Sequence, residues 1–400
     1  MSAKYRIWSG LLILSISISI SISISFSAIA QIPGLVPEQE WELNGYIQYR
    51  VNGYFVQGEH DVFDQSLQQR FNYEYRLNPD WRYNVGMRNR VTHGGSVKAN
   101  DYADWFGRDT GYMDLSVNWM EEREVVGNSQ FDRLYITSQQ GDWLMRTGRF
   151  RVNWGMTTIW NPNDIFNVYS IYDTDYAERP GTDGILLGKK LGFASGVELV
   201  FSPAEEAAFN RYAARYYLNR KGWDVQFIAG KSEQDNVIGL GFAGSVSGAG
   251  IRGESSYFNP TEQEREGNLN HTIISSFETD YSFSSQRNWS IRAGVLHTAD
   301  PSTPDNFTDY LTQPLSARTL SFSEFTGYAE VSFDLTPLNR SSFSSIYYQD
   351  GSLYFSYTNQ YSLADNWQLT ASIQRFDGVD SSVFGMTPTT MVYTMIRWDW

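Results

Sequence analysis

The side chains that could do chemistry here are few in kind. The 400-residue chain has no cysteine and four histidines: His60, His93, His271 and His297. That removes thiol catalysis, disulfides, iron–sulfur clusters and Cys-ligated zinc together, and no histidines stand at HExxH-type spacing. A serine hydrolase would need a histidine base. Serines are plentiful, and His93 and His297 fall near strand ends, but no spacing singles out a triad. Glu278 and Asp280 form an acid pair, yet at i,i+2 on a strand they line one wall instead of flanking a glycosidic bond. The acidic stretch from Asp300 to Asp309 reads as a solvated loop. No catalytic residue, metal or cofactor is therefore expected, and a barrel enzyme is the weakest of the functions weighed. A net charge of −14 lacks the basic footprint of a nucleic-acid binder.

What remains is rows of fixed charge. Arg70, Arg82, Arg88, Arg90, Arg133, Arg149 and Arg151 recur in the first part of the chain, together with Arg50 and Arg76. Carboxylates gather later: Glu198, Glu254, Glu278, Asp280, Glu324, Glu330 and Asp334. Guanidinium presents a fork of donors suited to carboxylate and phosphate. Two walls of opposite sign would set a transverse field across a pore between them, focused by low-dielectric walls.

Strands must position such rows. From Leu67 to Leu77 the residues Leu67, Phe71, Tyr73, Tyr75 and Leu77 share one face, while Arg70, Asn72, Glu74 and Arg76 share the other. Trp81–Val91 repeats the pattern, with Tyr83, Val85 and Met87 opposite Arg82, Asn84, Arg88 and Arg90. Period two is the strand signature. It serves equally for a soluble sandwich and for a membrane barrel with its apolar face toward lipid. The turns discriminate. Short polar turns each deliver a tryptophan at the start of the next strand: Trp81, Trp143, Trp223, Trp289 and Trp367. Indoles prefer the headgroup level, so this set reads as an aromatic girdle at one membrane face. The other connections, 92–130, 155–182, 259–270, 298–319 and 377–387, are long. Short turns at one end and long loops at the other characterise bacterial outer-membrane barrels.

The expected fold is all-β, a transmembrane antiparallel up-and-down barrel of about 18 strands, with 16 as the alternative. The strands are expected at 41–55, 66–77, 81–91, 131–139, 143–154, 183–190, 196–202, 210–218, 223–230, 236–246, 250–258, 271–283, 289–297, 320–335, 340–348, 352–362, 367–376 and 388–400. Segment 112–119 also alternates, but parity assigns it to an outer loop. Ahead of the barrel, Lys4 and Arg6, an apolar run from Ile7 to Phe26, and Ala28-Ile29-Ala30 before Gln31 read as a cleaved signal peptide over 1–30. A retained N-terminal anchor is the alternative. The barrel domain is then 31–400. Its last strand puts Val392, Thr394, Ile396, Trp398 and Trp400 on one face, an aromatic terminus suited to recognition by the barrel-assembly machinery.

The run Arg146-Thr147-Gly148-Arg149-Phe150-Arg151-Val152-Asn153-Trp154-Gly155, followed by Asn161-Pro162-Asn163-Asp164, resembles a G-R-x-R-x-x-W-G…N-P-x-D signature. It is similar to that of Gram-negative porin-like and alginate-export-like outer-membrane barrels. The resemblance covers about forty residues through Arg179-Pro180-Gly181. It implies barrel architecture and a transport role, without a substrate site.

Segment 155–182 is hydrophobic enough (Ile159, Trp160, Ile165, Phe166, Tyr169, Ile171, Tyr172) to fold into the lumen as a constriction. Its acids, Asp164, Asp173, Asp175 and Glu178, would then turn toward the arginines. Alternatively the arginines neutralise buried carboxylates and tie the loop down. The function expected is a passive outer-membrane channel for small polar or charged solutes, as monomer or homotrimer in outer-membrane lipid. A non-conducting structural, adhesive or polysaccharide-export barrel is the alternative.

Overall fold

The computed structural model describes residues 39–99, 101–169, 171–172, 181–261, 270–304, 307–312 and 315–400. The expected signal peptide lies outside them. Nineteen strands are present among the described residues. In chain order they are β1 (Trp41–Val56), β2 (Val62–Asn78), β3 (Trp81–Gly94), β4 (Ser116–Glu122), β5 (Val125–Gln140), β6 (Trp143–Phe150), β7 (Thr182–Gly192), β8 (Ser195–Ser202), β9 (Arg211–Arg220), β10 (Trp223–Ser232), β11 (Asp235–Val246), β12 (Ala249–Pro260), β13 (Thr272–Ser282), β14 (Ser290–Thr298), β15 (Phe325–Thr336), β16 (Asn339–Tyr348), β17 (Ser352–Ala364), β18 (Trp367–Gly378) and β19 (Thr389–Asp399). Two short helices, α1 (Tyr102–Gly107) and α2 (Phe307–Thr312), sit in outer connections.

All the pairings are antiparallel, and β19 returns to β1 with Ile47 opposite Trp398. Because β3 pairs directly with β5, eighteen strands close the barrel and β4 stands outside the count. Each expected strand has its counterpart. β4 lies beside the upper part of β5, Ser116 opposite Gln130, where β6 has already ended. Closure removes the unpaired edges that a membrane would not tolerate.

Side chains alternate as the pleat requires. Outward positions are large, apolar and exposed: Leu67, Ile185, Leu187, Phe227, Ile238, Leu240, Phe277, Val295, Phe343, Phe355 and Ile373. Inward positions are buried and often polar: Gln68, Arg70, Gln226, Glu254, Ser256, Ser276 and Glu278. An apolar exterior around a polar interior is the architecture of a membrane barrel. All five girdle tryptophans follow turns at the short-turn end, and Trp143, Trp289 and Trp367 are exposed. At this end the Lys221-Gly222 turn before Trp223 and the Ser247-Gly248 turn between β11 and β12 have both central residues at positive φ, the geometry of the tightest hairpins. At the opposite, outer end the longer connections turn inward and share the buried apolar core with inward side chains of the strands.

Candidate functional site in the barrel interior

After Phe150 the chain leaves the wall and enters the barrel. Phe150, Val152, Trp154, Ile159, Trp160, Ile165 and Phe166 are all buried in one cluster with inward residues of the strands. The segment crosses the interior. At Phe166 it passes beside β7, where Thr182 Oγ1 donates to the Phe166 carbonyl (2.9 Å). Further on, Tyr172 packs on Tyr354 and Phe376 of β17 and β18, and its hydroxyl meets that of Tyr348 on β16. α2 and residues 315–322 and 383–384 close over it through Phe307, Phe322 and Phe384.

A turned segment inside a barrel must satisfy its own backbone groups. Two wall carboxylates do much of this. Glu254 accepts the amides of Met156, Thr157 (2.8 Å) and Asn163 (3.0 Å). Glu278 accepts those of Thr158 (2.8 Å) and Ile159 (3.1 Å). Wall amides and hydroxyls take the carbonyls: Gln226 donates to Trp154 (2.6 Å) and Ser256 to Pro162 (2.9 Å). The Trp154 indole donates to Glu198 (2.7 Å). Asn163 lies so close to β11 that a Cβ on Gly239 would come within 2.5 Å of its side-chain oxygen, so glycine there makes the room.

The residues of the G-R-x-R-x-x-W-G…N-P-x-D run build this segment. Gly148 has φ +116, and a Cβ there would come within 2.2 Å of the Leu134 carbonyl oxygen. Asn161 bonds back to Thr157, and Asp164 accepts the amide of Asn167 (3.2 Å). Asp164 is therefore a buried capping residue rather than a solute-facing acid. Asp173, Asp175 and Glu178 lie outside the described residues.

The seven arginines expected to form a basic wall have different placements. Arg70 is fully buried and grips Asp132 with two bonds (2.5 and 2.9 Å). A β-bulge at Asp132, between the pairs Gly86–Arg133 and Met87–Phe131, makes that contact possible by turning both Asp132 and Arg133 inward. Arg88 is buried beside Gln130, and Arg90 lies over the Phe106 ring of α1 at 3.6 Å. Arg82 and Arg133 face the lower lumen; Arg133 shares a polar recess of about 260 Å³ with Glu42, Asn72, Glu74 and Asn84.

Arg149 and Arg151 differ from the expectation. Arg149 pairs in register with Leu134 and Asp183, in phase with the exposed Met145 and Leu187. Its guanidinium is sealed by Asp183 (2.7 Å), Asp109 (2.5 Å) and the carbonyls of Phe131 and Met113. Arg151 stands past the end of β6 and bonds Asn153 (3.0 Å). The reason is that Trp143, Met145 and Arg149 share the outward face of β6, while Phe150 turns inward onto Tyr135 and Arg146 holds the inward position beside both rings. The apolar-outward pattern holds at Trp143 and Met145 and breaks only at the outer end of β6, where Phe150 meets the packed interior.

The later wall carries no purely acidic row either. Arg215 pairs Glu198 (3.2 Å), Arg252 pairs Glu278 (3.1 Å) and Asp280, Arg292 pairs Glu330 (2.8 Å), and Arg340 pairs Asp334 (2.7 Å). These four arginines escaped the sequence reading. Their even spacing from lumen-facing neighbours, as with Arg252 beside Glu254, is the signal that could have found them. Arg292 also reaches the in-turned segment at Thr158 (2.9 Å). Charges of both signs thus alternate along one wall, which weakens a transverse field and favours short-range recognition.

At the outer mouth a recess of about 610 Å³ lies between Arg108, Phe166, Asn167, Glu205, Phe209, Arg211 and Ala317. In the turn between β4 and β5, Glu124 lies beside Lys98 (3.0 Å), which holds that carboxylate below its usual range. Burial pushes the Tyr102 hydroxyl of α1 up to about 12, against the opposing pull of Arg90.

No family model matches the chain, and no curated protein matches it. Solved structures do. The chain is similar to the outer membrane protein OprD from Pseudomonas aeruginosa at 9% identity and a TM-score of 0.60, over 93% of this chain and 95% of that one. It is similar to OpdQ of the same organism at 7% identity and 0.57, covering 90% and 99%. For OccAB2 of Acinetobacter baumannii the values are 10% and 0.55, with 90% and 98% covered. The shared property is the fold, the closed eighteen-strand barrel of Gram-negative outer-membrane porins.

Proposed function

We propose that this chain is an outer-membrane channel through which small polar or charged solutes diffuse passively, with residues 151–169, 171 and 172 as its constriction. The observation that carries the reading is the segment tied across the lumen by Glu254 and Glu278, beside partly exposed arginines on the same wall. Such a wall offers both donors and acceptors to a passing solute, which favours charged or strongly hydrogen-bonding molecules over apolar ones. OprD and OpdQ share the barrel at only 9% and 7% identity, so the solute is left to experiment. Arg252 and Arg292 are the residues we assign to the path; Arg70 and Arg149 we assign to holding the wall together.

Planar-bilayer conductance of the purified protein, with reversal potentials in a salt gradient, tests this reading. Steady ohmic steps are expected. One observation favours the second reading, a non-conducting barrel: an aromatic cluster containing Tyr172, Phe322, Tyr348, Phe376 and Phe384 packs inside the outer ends of β16 to β18. Electrical silence from correctly folded protein would establish it instead.

A further inference from the structure

The membrane-facing side of β15 to β18 has a trough that solute passage does not use. By register, Ala329, Ser345, Phe355 and Arg375 form one outward row across the four strands, and Phe343 stands in the row below. Ala329 and Ser345 are small, so the surface sinks between the exposed Phe343 and Phe355 and leaves an apolar cavity of about 510 Å³. At about 4.8 Å per strand the trough is about 14 Å long. Arg375 closes one end, three residues before β18 ends at Gly378, so it lies about 10 Å along the strand from its outer end. Its guanidinium donates to Asp377 (3.0 and 2.7 Å) and to Thr390 (2.9 Å), contacts that use three of its five N–H donors.

We propose that this trough seats an acyl chain of a phosphate-bearing lipid of the outer leaflet, with Arg375 holding the phosphate. Hydrocarbon is the solvent of a lipid-facing wall, and a trough lined by aromatic ridges gives a chain more contact than the surface around it. The arginine stands at the headgroup end, where a charge is tolerated, and guanidinium binds phosphate through parallel N–H bonds. Asp377 tempers that charge. A second copy of this chain docking here would have to bury the Arg375–Asp377 pair against protein, at a desolvation cost that a headgroup phosphate avoids.

Native mass spectrometry of the detergent-solubilised barrel titrated with bisphosphorylated lipid A tests the proposal. One tightly held lipid per barrel is expected. Arg375→Gln should weaken it about ten-fold, the scale of one charge-assisted contact. Asp377→Asn, which releases the guanidinium, should tighten it, and Ala329→Trp, which fills the trough, should abolish it. Ile238→Trp on β11, outside the trough, is the control and should bind as the parent does. The two charge variants leave the packed interior untouched, so they decide the matter even if Ala329→Trp fails to fold. Equal binding by Arg375→Gln and the parent, or equal retention of a neutral diacylglycerol, would overturn the assignment. A change of oligomeric mass in Ala329→Trp without loss of lipid would give the trough to a second copy.

Discussion

On the early wall, formed by β1 to β6, the Arg70 and Arg149 side chains are at most 3% exposed, and each meets a carboxylate through two bonds. On the later wall, Arg252 and Arg292 are paired as well, yet their side chains keep 27% and 31% of their surface. The residue type and partner chemistry are the same; the difference is access. An arginine sealed with its acid holds strands and loops in register, because separating the pair strands a charge in low dielectric. An arginine paired at the edge of open space can exchange its partner for a passing solute at modest cost.

Breaking the early pair should therefore produce the largest effect. Asp132→Ala leaves the Arg70 guanidinium buried without its bidentate acceptor, and about 3–5 kcal/mol of stability should go with it. Urea unfolding in detergent micelles, or loss of the heat-modifiable folded band, measures this. Arg70→Met together with Asp132→Leu should recover much of the loss, since an apolar pair of similar volume leaves no charge behind. If Asp132→Ala unfolds like the parent, the early wall is not held by this pair and the comparison fails at its stronger side.

The in-turned segment lies between the two cases. Glu254→Gln replaces one acceptor oxygen with an amide that faces backbone N–H groups instead of receiving from them. About 1–3 kcal/mol is expected from the unsatisfied donors. The barrel should still insert, since no strand pairing depends on this side chain, while the loosened segment raises single-channel conductance and its noise. Unchanged, quiet conductance in folded Glu254→Gln would mean that the segment is held chiefly by its apolar packing through Trp154, Trp160 and Phe166.

How far the sequence reaches follows the same division. Period-two patterns with Trp-led turns were readable, because a lipid-facing belt leaves its mark on every strand. The placement of 112–119 in an outer connection was readable from parity alone. The phase of β6 was readable too, because an outward Trp143 puts Arg149 on the same face, but the packing on its inner side was not. Its inner face meets an aromatic core made by a distant part of the chain, so Phe150 turned inward and Arg146, not Arg149, took the lumen side. The bulge at Asp132 was equally hidden, since a single added residue is visible only against its partner strand. The acids of the segment were expected to face arginines, but Asp164 caps its own turn, and the anchoring carboxylates, Glu254 and Glu278, come from strands about a hundred residues later. Such non-local partners leave no local pattern to read.

The smallest effect on stability should come from the later wall, and it is the one that bears on function. Arg292→Gln keeps a donor for Glu330 and removes a partly exposed charge, so unfolding should shift by less than about 1 kcal/mol. Its neighbour Glu330 then faces the lumen without a cation at 2.8 Å. Inside a pore, screening at physiological salt acts over about 8 Å, so the local change sets the field near the crossing segment, whatever the net charge of the whole chain. Reversal potentials in a salt gradient should move toward cations in Arg292→Gln, and likewise in Arg252→Gln, where Glu278 and Asp280 lose the same shield. Arg149→Gln, by contrast, should lower the yield of folded barrel and leave the selectivity of what does fold unchanged. Should Arg149→Gln shift the reversal potential while Arg292→Gln does not, the path runs along the early wall and the assignment of the two walls must be exchanged.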